Sequence, residues 1–355
     1  MHLFSPITLR ATTFANRVWV SPMCEYSAVD GVPQDWHLVH LGGLARGGAG
    51  LVLTEATAVS PEGRISPADT GLWNDEQLKA WRRITDFIRS QQTVPGIQLA
   101  HAGRKASTAS PWAGGHYVDP TDGGWSDAAA PSSIAFGGLP EPHALTVDEI
   151  GSVVDTFRQA AQRSLDAGFE VAEIHAAHGY LLHAFLSPLS NVRDDEYGGS
   201  FDNRIRLLLE VVDAVRGVWP DELPLFVRLS STDWVDGGWD GDDTVALAKH
   251  LGEHGVDLVD CSSGGAVPGA AIPTGPGYQV PFASRVRNES GIPAGAVGMI
   301  TEPTQAEEIV ASEDADVVLL ARALLRDPHW PLRAAHELGA EVRWPPQYSR
   351  ARWPS

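Results

Sequence analysis

Two imidazoles and a phenol lie within six consecutive residues of this chain, at His175, His178 and Tyr180. They follow residues 168–174, a mostly apolar run whose length is typical of a buried strand. All three side chains can donate hydrogen bonds, and imidazoles and phenols also exchange protons. Because the three groups should emerge together at the carboxyl end of this strand, the cluster predicts the floor of an active site.

Eight short apolar runs, nearly all ending in small or polar residues, supply the strands that would position such a site. They cover residues 18–22, 50–55, 96–101, 171–175, 225–230, 256–262, 294–299 and 317–322. Amphipathic stretches that predict helices lie between them at 75–90, 146–167, 203–219, 243–254 and 304–311. Strands that alternate with helices imply parallel strands joined by crossovers. Because no G-x-G-x-x-G follows any candidate strand, we predict an α/β fold of a single (β/α)8 TIM barrel over residues 1–355.

Three segments depart from this repeat. Residues 1–16 contain two short runs, at 7–9 and up to Asn16, which predict an N-terminal β-hairpin that caps the bottom of the barrel. The segment 107–143 follows the third strand and lacks helical periodicity, so it predicts either a lid-like loop or a solvated loop without a role. The tail at 340–355 is predicted to reach a neighbouring subunit.

The composition excludes several classes of protein. With 45 acidic and 26 basic side chains, the chain has a formal charge of −19, which repels nucleic acid and anionic membranes. The chain does not open on a basic segment followed by an apolar one, and it has no run of about 18 apolar residues. Two cysteines, Cys24 and Cys261, are too few for a disulfide scaffold. We therefore expect a cytoplasmic protein that binds neither nucleic acid nor membrane.

The ends of the other predicted strands also carry polar groups. These are Cys24 and Tyr26 after the first strand, Gln98 and His101 on the third, Arg228 on the fifth, Gly298 after the seventh and Arg322 after the eighth. Neutral donors with one thiol and one fixed cation suit a polar, electron-accepting ring better than a metal ion. A glycine turn after strand seven and an arginine after strand eight occupy the usual phosphate site of such barrels. The sequence therefore predicts a phosphorylated cofactor.

Several motifs resemble a known family over essentially the whole chain. They lie at 21–26, 97–105, 175–180, 185–193, 195–200 and 295–300. The chain resembles the flavin-dependent Old Yellow Enzymes, and specifically their thermophilic-like ene-reductase subgroup. The run H-x-x-H-G-Y…S-P…R-x-D-x-Y-G-G-S, which begins at His175, is the most specific part. The resemblance implies an NADPH dehydrogenase in which tightly bound FMN takes electrons from NADPH or NADH and passes them to an activated alkene, such as an enone, enal, maleimide or nitroalkene.

The same resemblance implies a set of FMN-binding residues. They are Ser21, Pro22, Met23, Cys24, Ala56, Gln98, His175, Arg228, Gly298, Ala321 and Arg322. The Cys24 thiol would lie near the reactive N5, although Cys24 taken alone predicts a small buried hydrophobic residue. Arg228 would stabilise the negative charge that collects on the reduced ring. Ala321 stands where the family often has glycine, so we expect a slightly less close approach of the backbone to the phosphate.

Substrate-binding roles follow from the resemblance as well. His175 and His178 would clamp the substrate's carbonyl oxygen, and Tyr180 would protonate the α-carbon. Tyr26 would line the pocket, and Lys105 would shape it. Arg350 would enter the active site of a neighbouring protomer, with Arg352 as its competitor, and Trp353 could add an aromatic wall. This last role requires a homodimer or homotetramer.

Two other interpretations of the histidines and the fold remain as alternatives. A metal-dependent barrel hydrolase would use His175, His178 and His183, but no further carboxylate or histidine stands at the right strand ends to complete a metal site. A flavin-binding protein without catalysis would not need the whole set of donors. Larger relatives of the Old Yellow Enzymes carry an iron–sulfur cluster, for which this chain lacks the cysteines. We therefore predict no metal site.

Overall fold

The computed structural model describes residues 1–353, so the last two residues of the predicted barrel domain and tail, 354 and 355, lie outside the described part. Its strands are β1 (Ile7–Leu9), β2 (Thr12–Phe14), β3 (Val18–Val20), β4 (Leu51–Ala58), β5 (Val94–Ala100), β6 (Ala129–Ala130), β7 (His143–Ala144), β8 (Val171–Ala176), β9 (Leu225–Ser230), β10 (Leu258–Ser262), β11 (Ala294–Ala296) and β12 (Val317–Leu320).

Eight of these strands close into one parallel barrel in the order β3, β4, β5, β8, β9, β10, β11, β12 and back to β3. Each of the eight apolar runs in the sequence contains or overlaps one barrel strand. The barrel strands are buried along their whole length, because their inner faces fill the barrel and their outer faces meet the helices. The predicted (β/α)8 barrel is confirmed.

Helices follow the strands and cover the outside of the barrel. They are α1 (Asp35–Arg46), α2 (Asp75–Ser90), α3 (Val147–Asp166), α4 (Leu181–Leu186), α5 (Phe201–Arg216), α6 (Gly241–Glu253), α7 (Val280–Ser290), α8 (Pro303–Ala311), α9 (Arg322–Arg326) and α10 (Trp330–Leu338). Reciprocal capping boxes begin two of them, with Asn74 before α2 and Thr146 before α3. Within residues 1–353, no helix is long and apolar enough to cross a membrane.

The N-terminal hairpin closes the bottom of the barrel, as predicted. Strands β1 and β2 pair antiparallel, with Ile7 opposite Phe14. The Phe14 ring lies 4.5 Å from the Trp19 ring, and Trp19 in turn stacks on Phe226 at 5.6 Å. These rings belong to a buried cluster that includes the first residues of several barrel strands, such as Leu51. The hairpin therefore seals the end of the barrel opposite the predicted site.

Truncation of this plug should cost much of the protein's stability. We expect Phe14→Ala to lower the free energy of unfolding by about 3–5 kcal/mol, because it opens a cavity among buried rings. Denaturant unfolding measures the change. Leu325→Ala is the control, since the Leu325 side chain is 48% exposed and should change the stability by less than about 1 kcal/mol. Equal losses for the two variants would contradict the role of the hairpin as a plug.

Candidate active site

The parallel register brings polar side chains on neighbouring strands into two rows around the barrel. His175 of β8 pairs with Arg228 of β9, and Arg228 in turn pairs with Asp260 of β10. On β5 and β8, Gln98 pairs with Glu173. Because adjacent parallel strands hold their residues at matched heights, these five side chains share one end of the barrel. This is the end at which the sequence predicted the site.

A strained turn after β8 carries the second imidazole and the phenol. His178 adopts a left-handed φ of +60° and Gly179 a φ of +75°. A Cβ on Gly179 would meet the carbonyl oxygen of Gly265 at 2.0 Å, so only glycine fits there. The turn is held from outside, because Ser230 Oγ accepts a hydrogen bond from the His178 amide at 2.9 Å and the Lys105 ammonium donates to the His178 carbonyl at 2.8 Å.

The turn packs the three predicted groups edge to face. The ring of His175 lies 5.1 Å from the ring of His178 and 5.1 Å from that of Tyr180, with interplanar angles of 87° and 82°. His175 Nδ1 accepts a hydrogen bond from the Ala177 amide at 3.3 Å, and His178 Nε2 lies 2.7 Å from Ser262 Oγ. The structure therefore brings His175, His178 and Tyr180 together as one cluster.

Burial keeps all three groups neutral at pH 7. Desolvation, followed by the positive charge of Arg228, lowers the pKa of both His175 and His178 well below its usual value. Desolvation, followed by the Cys24 sulfur, raises the pKa of Tyr180 well above its usual value. The cluster therefore presents neutral N–H and O–H groups, which can donate hydrogen bonds to an oxygen atom without being ionised.

The segment that follows β3 also borders the site. Cys24 and Tyr180 pack against the same small apolar cluster, which contains Ala56 of β4. Burial, followed by the charge of Asp69, raises the pKa of the Cys24 thiol, so the sulfur is protonated at neutral pH. Tyr26 lies next along the chain, and its ring meets Trp112 edge-on at 5.5 Å. Pro22 and Met23 are partly buried between Ser21 and Cys24.

A buried cation lies beside His175, on the neighbouring strand. The Arg228 guanidinium donates to Ser21 Oγ at 3.2 Å, and its Nε lies 3.0 Å from a carboxylate oxygen of Asp260. The Gln98 amide donates to Glu173 at 2.8 Å. Burial raises the pKa of Glu173 to about 8 and also raises that of Asp260. Glu173 is therefore mostly protonated at pH 7, while Asp260 lies against Arg228 as its ion-pair partner, and the Arg228 guanidinium brings positive charge to the site.

The ends of β11 and β12 form the predicted phosphate side. Gly298 has a φ of +124°, and a Cβ there would lie 2.8 Å from the Gln279 side chain. Arg322 is the first residue of α9, and its guanidinium makes no hydrogen bond or ion pair to another residue of 1–353. Ala321 has a φ of −112°, so this position does not need the left-handed conformation that favours glycine.

The donor set fits an FMN molecule. Arg322 is an exposed cation after β12, unpaired within residues 1–353, and Gly298 after the neighbouring β11 leaves a space that a side chain would fill; the two together suit a phosphate group. Gln98 uses its amide nitrogen for Glu173, and its amide oxygen has no partner within residues 1–353, so it can accept from a ring N–H. Arg228 supplies positive charge of the kind that stabilises a reduced flavin.

The 107–143 segment lies on the same face and borders a cleft of about 550 Å³ beside Tyr180. The cleft is lined by Ile65, Lys105, Thr108, His116, Tyr117, Phe136, Leu139, Tyr180 and Pro268, together with three glycines. The Lys105 ammonium lies 4.3 Å from the Phe136 ring centre and 5.2 Å from that of Tyr180. Burial lowers the pKa of Lys105 to about 8. The segment thus forms walls of the opening that leads to the cluster.

The C-terminal tail packs elsewhere on the molecule. The Tyr348 hydroxyl accepts a hydrogen bond at 2.6 Å from Arg46, the last residue of α1, and the Trp353 ring stacks on His336 of α10 at 5.1 Å. Arg350 and Arg352 are both exposed. Among residues 1–353, neither makes a hydrogen bond or ion pair, so the site of their own subunit does not include them.

The metal-hydrolase alternative is not supported. His183 is fully buried, its Nδ1 accepts from the Gly179 amide at 2.8 Å, and its Nε2 lies 3.0 Å from Asp233. It therefore helps to hold the turn that carries His178. Throughout the described part of the chain, no group of three or more His, Cys, Asp or Glu side chains could hold a metal ion.

Sequence reasoning missed three polar residues that contact the site: Glu173, Asp260 and Ser262. A signal existed for Glu173, because it stands two residues before His175 on a strand and so shares the inner face of the barrel. Asp260 and Ser262 alternate in the same way on β10. Another buried pair, His37 with Glu55 at 2.9 Å, lies behind Cys24 and was also missed.

The sequence model of the NADH:flavin oxidoreductase / NADH oxidase family matches residues 2–341, so the chain belongs to that family. It is an oxidoreductase that uses FMN with NAD(P)H as the reductant. The resemblance to the Old Yellow Enzymes is confirmed.

Individual relatives agree with this assignment. An NADPH dehydrogenase of Bacillus pumilus is 48% identical, with 98% of each chain covered. The structure of morphinone reductase in complex with tetrahydroNAD superposes with a TM-score of 0.80 at 29% identity, covering 98% of this chain and 93% of the other. An Old Yellow Enzyme homologue from Zymomonas mobilis has a TM-score of 0.80 at 28% identity, with full coverage of both chains.

Proposed function

We propose that this protein is an ene-reductase, which reduces the C=C bond of an alkene conjugated to a carbonyl or nitro group. The convergence of His175, His178 and Tyr180 at one end of the barrel carries the proposal. Two neutral imidazoles beside a phenol suit a substrate with one oxygen atom to be polarised and a neighbouring carbon to be protonated.

In this reaction, His175 and His178 hold the substrate's oxygen. Two hydrogen bonds to that oxygen withdraw electrons from the conjugated C=C bond, so the β-carbon becomes a better hydride acceptor. Both imidazoles must be neutral, because their burial next to Arg228 opposes a positive charge. When bound and reduced by NAD(P)H, FMN would supply the hydride from its N5.

Tyr180 donates the proton to the α-carbon. Its raised pKa keeps the phenol protonated at physiological pH, and its ring packs directly on His175. As the β-carbon gains hydride, the α-carbon becomes basic enough to take a proton even from a weak acid. Tyr26 and Cys24 both lie close enough to Tyr180 to act on its pKa; we assign Tyr26 to the substrate pocket and the protonated thiol of Cys24 to the flavin edge.

For the cofactor, we assign three groups of residues. Ser21, Pro22, Met23, Cys24 and Ala56 border the ring edge, Gln98, His175 and Arg228 face its polar part, and Gly298, Ala321 and Arg322 hold the phosphate. The free guanidinium of Arg322 and the side-chain-free cradle at Gly298 support the last group. The 107–143 loop acts as a lid over the cleft next to Tyr180.

We also assign the tail to contacts between copies of this chain. Arg350 is exposed and lies away from the site of its own subunit, so it can reach another active site only in a homodimer or homotetramer. Sedimentation analysis should show an oligomer. Arg350→Ala should raise the KM for the alkene, whereas Arg352→Ala should leave it unchanged; a monomer, or the reverse pattern, would contradict the assignment.

The function is tested by an anaerobic cycle with purified protein. The protein should be yellow, NADPH should bleach it, and cyclohexenone or maleimide should restore the colour with one equivalent of reduced alkene formed. A colourless protein that cannot take up FMN would contradict the proposal. Bleaching without reoxidation by any conjugated alkene would also contradict it, while leaving the NADPH dehydrogenase activity of the family intact.

The pH dependence of alkene reduction follows from the neutral imidazoles. A free histidine titrates near pH 6.5, but the pKa of both His175 and His178 lies well below that value. Both groups therefore stay neutral as the pH falls from about 7 to about 6. Lys105 and Glu173, each with a pKa of about 8, are already mostly protonated in this interval, so the rate of flavin reoxidation by cyclohexenone should not change across it. Stopped-flow measurements check this. An inflection near pH 6.5 would mean that one imidazole is solvated and titrates normally.

A further inference from the structure

The hydrogen bond between His178 and Ser262 has a direction that decides what His178 can do. His178 Nε2 lies 2.7 Å from Ser262 Oγ at the end of β10. Ser262 is 5% exposed, so water does not readily replace this contact. Because a neutral imidazole has one N–H and one bare nitrogen, either the serine donates and Nε2 is bare, or Nε2–H donates to the serine.

The surroundings of Ser262 favour the serine as the donor. Within residues 1–353, its hydroxyl has no hydrogen-bond partner other than His178. If Nε2–H donated, the hydroxyl proton of a nearly buried serine would lack an acceptor, which is unfavourable. If the hydroxyl donates, its proton is satisfied by Nε2, and the imidazole proton moves to Nδ1. Nδ1 has no partner in the described part of the chain, so it is free for a ligand.

His175 is fixed in the opposite tautomer. Its Nδ1 accepts from the Ala177 amide at 3.3 Å, so its proton is on Nε2. The two rings lie nearly perpendicular, 5.1 Å apart. One imidazole thus offers Nε2–H and the other Nδ1–H. For both imidazoles to donate to one oxygen, His175 Nε2 and His178 Nδ1 must each carry a proton, because a bare nitrogen facing that oxygen would repel it.

We infer that Ser262 is a positioning residue that sets the tautomer of His178 by donating to Nε2, so that Nδ1–H is available for the substrate's oxygen. The inference rests on the proposed ene-reductase function. It assigns a role to a residue that does not touch the substrate and acts only through His178. In the other tautomer, one of the two hydrogen bonds to the oxygen would become a repulsion between lone pairs.

Nitrogen NMR reads the tautomer without any turnover. In FMN-loaded protein with ¹⁵N-labelled histidine, the protonated and bare ring nitrogens have well separated shifts, and His178→Asn identifies the signals of His178. We expect Nδ1–H in the native protein and a large Nε2–H population in Ser262→Ala. Nε2–H in the native protein would overturn the inference. An unchanged tautomer in Ser262→Ala would overturn it too.

A kinetic cycle separates tautomer control from a structural role. Ser262→Ala should slow flavin reoxidation by cyclohexenone about 10- to 100-fold. In most molecules of this variant, His178 Nδ1 would carry no proton and could not donate to the substrate's oxygen. His178→Asn replaces the imidazole with an amide whose NH₂ always donates, so it has no tautomer to choose. Ser262→Ala added to His178→Asn should therefore cost less than about twofold. The same loss in both backgrounds would show that Ser262 acts independently of His178.

Ser231→Ala is the matched control. Ser231 is also buried at the end of a barrel strand, and its hydroxyl has no hydrogen-bond partner among residues 1–353. This variant should reoxidise at the native rate. Melting temperature and FMN content show whether each variant folds. If the native protein reduced no alkene, the proposed function would fail, but the NMR result would still decide the tautomer.

Discussion

Tyr180→Phe should slow the reoxidation of the reduced protein by cyclohexenone by about 10²–10⁴-fold, the usual contribution of a general acid. The substitution removes one oxygen atom and keeps the ring that packs 5.1 Å from His175. The imidazole clamp should therefore still bind the alkene. Reduction of the flavin by NADPH needs no proton from Tyr180, so its rate should change by less than about threefold.

Anaerobic stopped-flow measurements separate the two half-reactions. Tyr197→Phe is the matched control, because Tyr197 is also buried and its hydroxyl donates to Glu210 at 3.1 Å, away from the site. It should leave both rates unchanged. Equal losses in both half-reactions of Tyr180→Phe would indicate a disturbed site and would count against Tyr180 as the proton donor.

Arg228→Met should lower both the stability of the protein and the reduction potential of its FMN. It leaves Asp260 buried without its cation, and removal of one partner of a buried ion pair usually costs about 3–5 kcal/mol. The pKa of Asp260, which is already raised by burial, should rise further once the guanidinium that lowers it is gone. The bound FMN loses a positive charge that favours its reduced form, so its midpoint potential should fall.

Denaturant unfolding and a redox titration measure the two effects. Adding Asp260→Asn to Arg228→Met removes the orphaned carboxyl and should restore part of the stability, but not the potential. Arg228→Lys keeps the charge and should retain most of the potential. A stability within about 1 kcal/mol of the native value for Arg228→Met would contradict the account of Arg228 as the balancing charge of this site.

The strands were predictable because parallel barrel strands are buried on both faces and appear as short apolar runs. Helices were predictable where one face is exposed: α2 was predicted at its observed bounds, Asp75–Ser90. Five helices, α1, α4, α7, α9 and α10, were not predicted, and two of them show a physical reason. All six residues of α4 are buried, so it has no polar face to create a period. In α1, Gly42 and Gly43 lie in the middle of the helix and weaken the helical signal.

The side chains that line the predicted site come from strand ends, which is where parallel topology places them. The supporting partners of those side chains were not predictable in the same way. That Ser262 meets His178, or that Asp260 meets Arg228, depends on the register between β9 and β10 and on the left-handed turn at His178. Register is a tertiary property, and a single sequence does not specify which inward residues of two strands stand at the same height.

The most direct test of this account is a crystal structure of the FMN-loaded protein with a bound phenol, whose oxygen mimics that of the activated substrate. The account predicts that the phenol oxygen lies within hydrogen-bond distance of both His175 Nε2 and His178 Nδ1, with Tyr180 beside the ring. A phenol bound with its oxygen at Lys105 or Arg228, and with the two imidazoles unoccupied, would contradict the claim that these histidines hold and polarise the substrate.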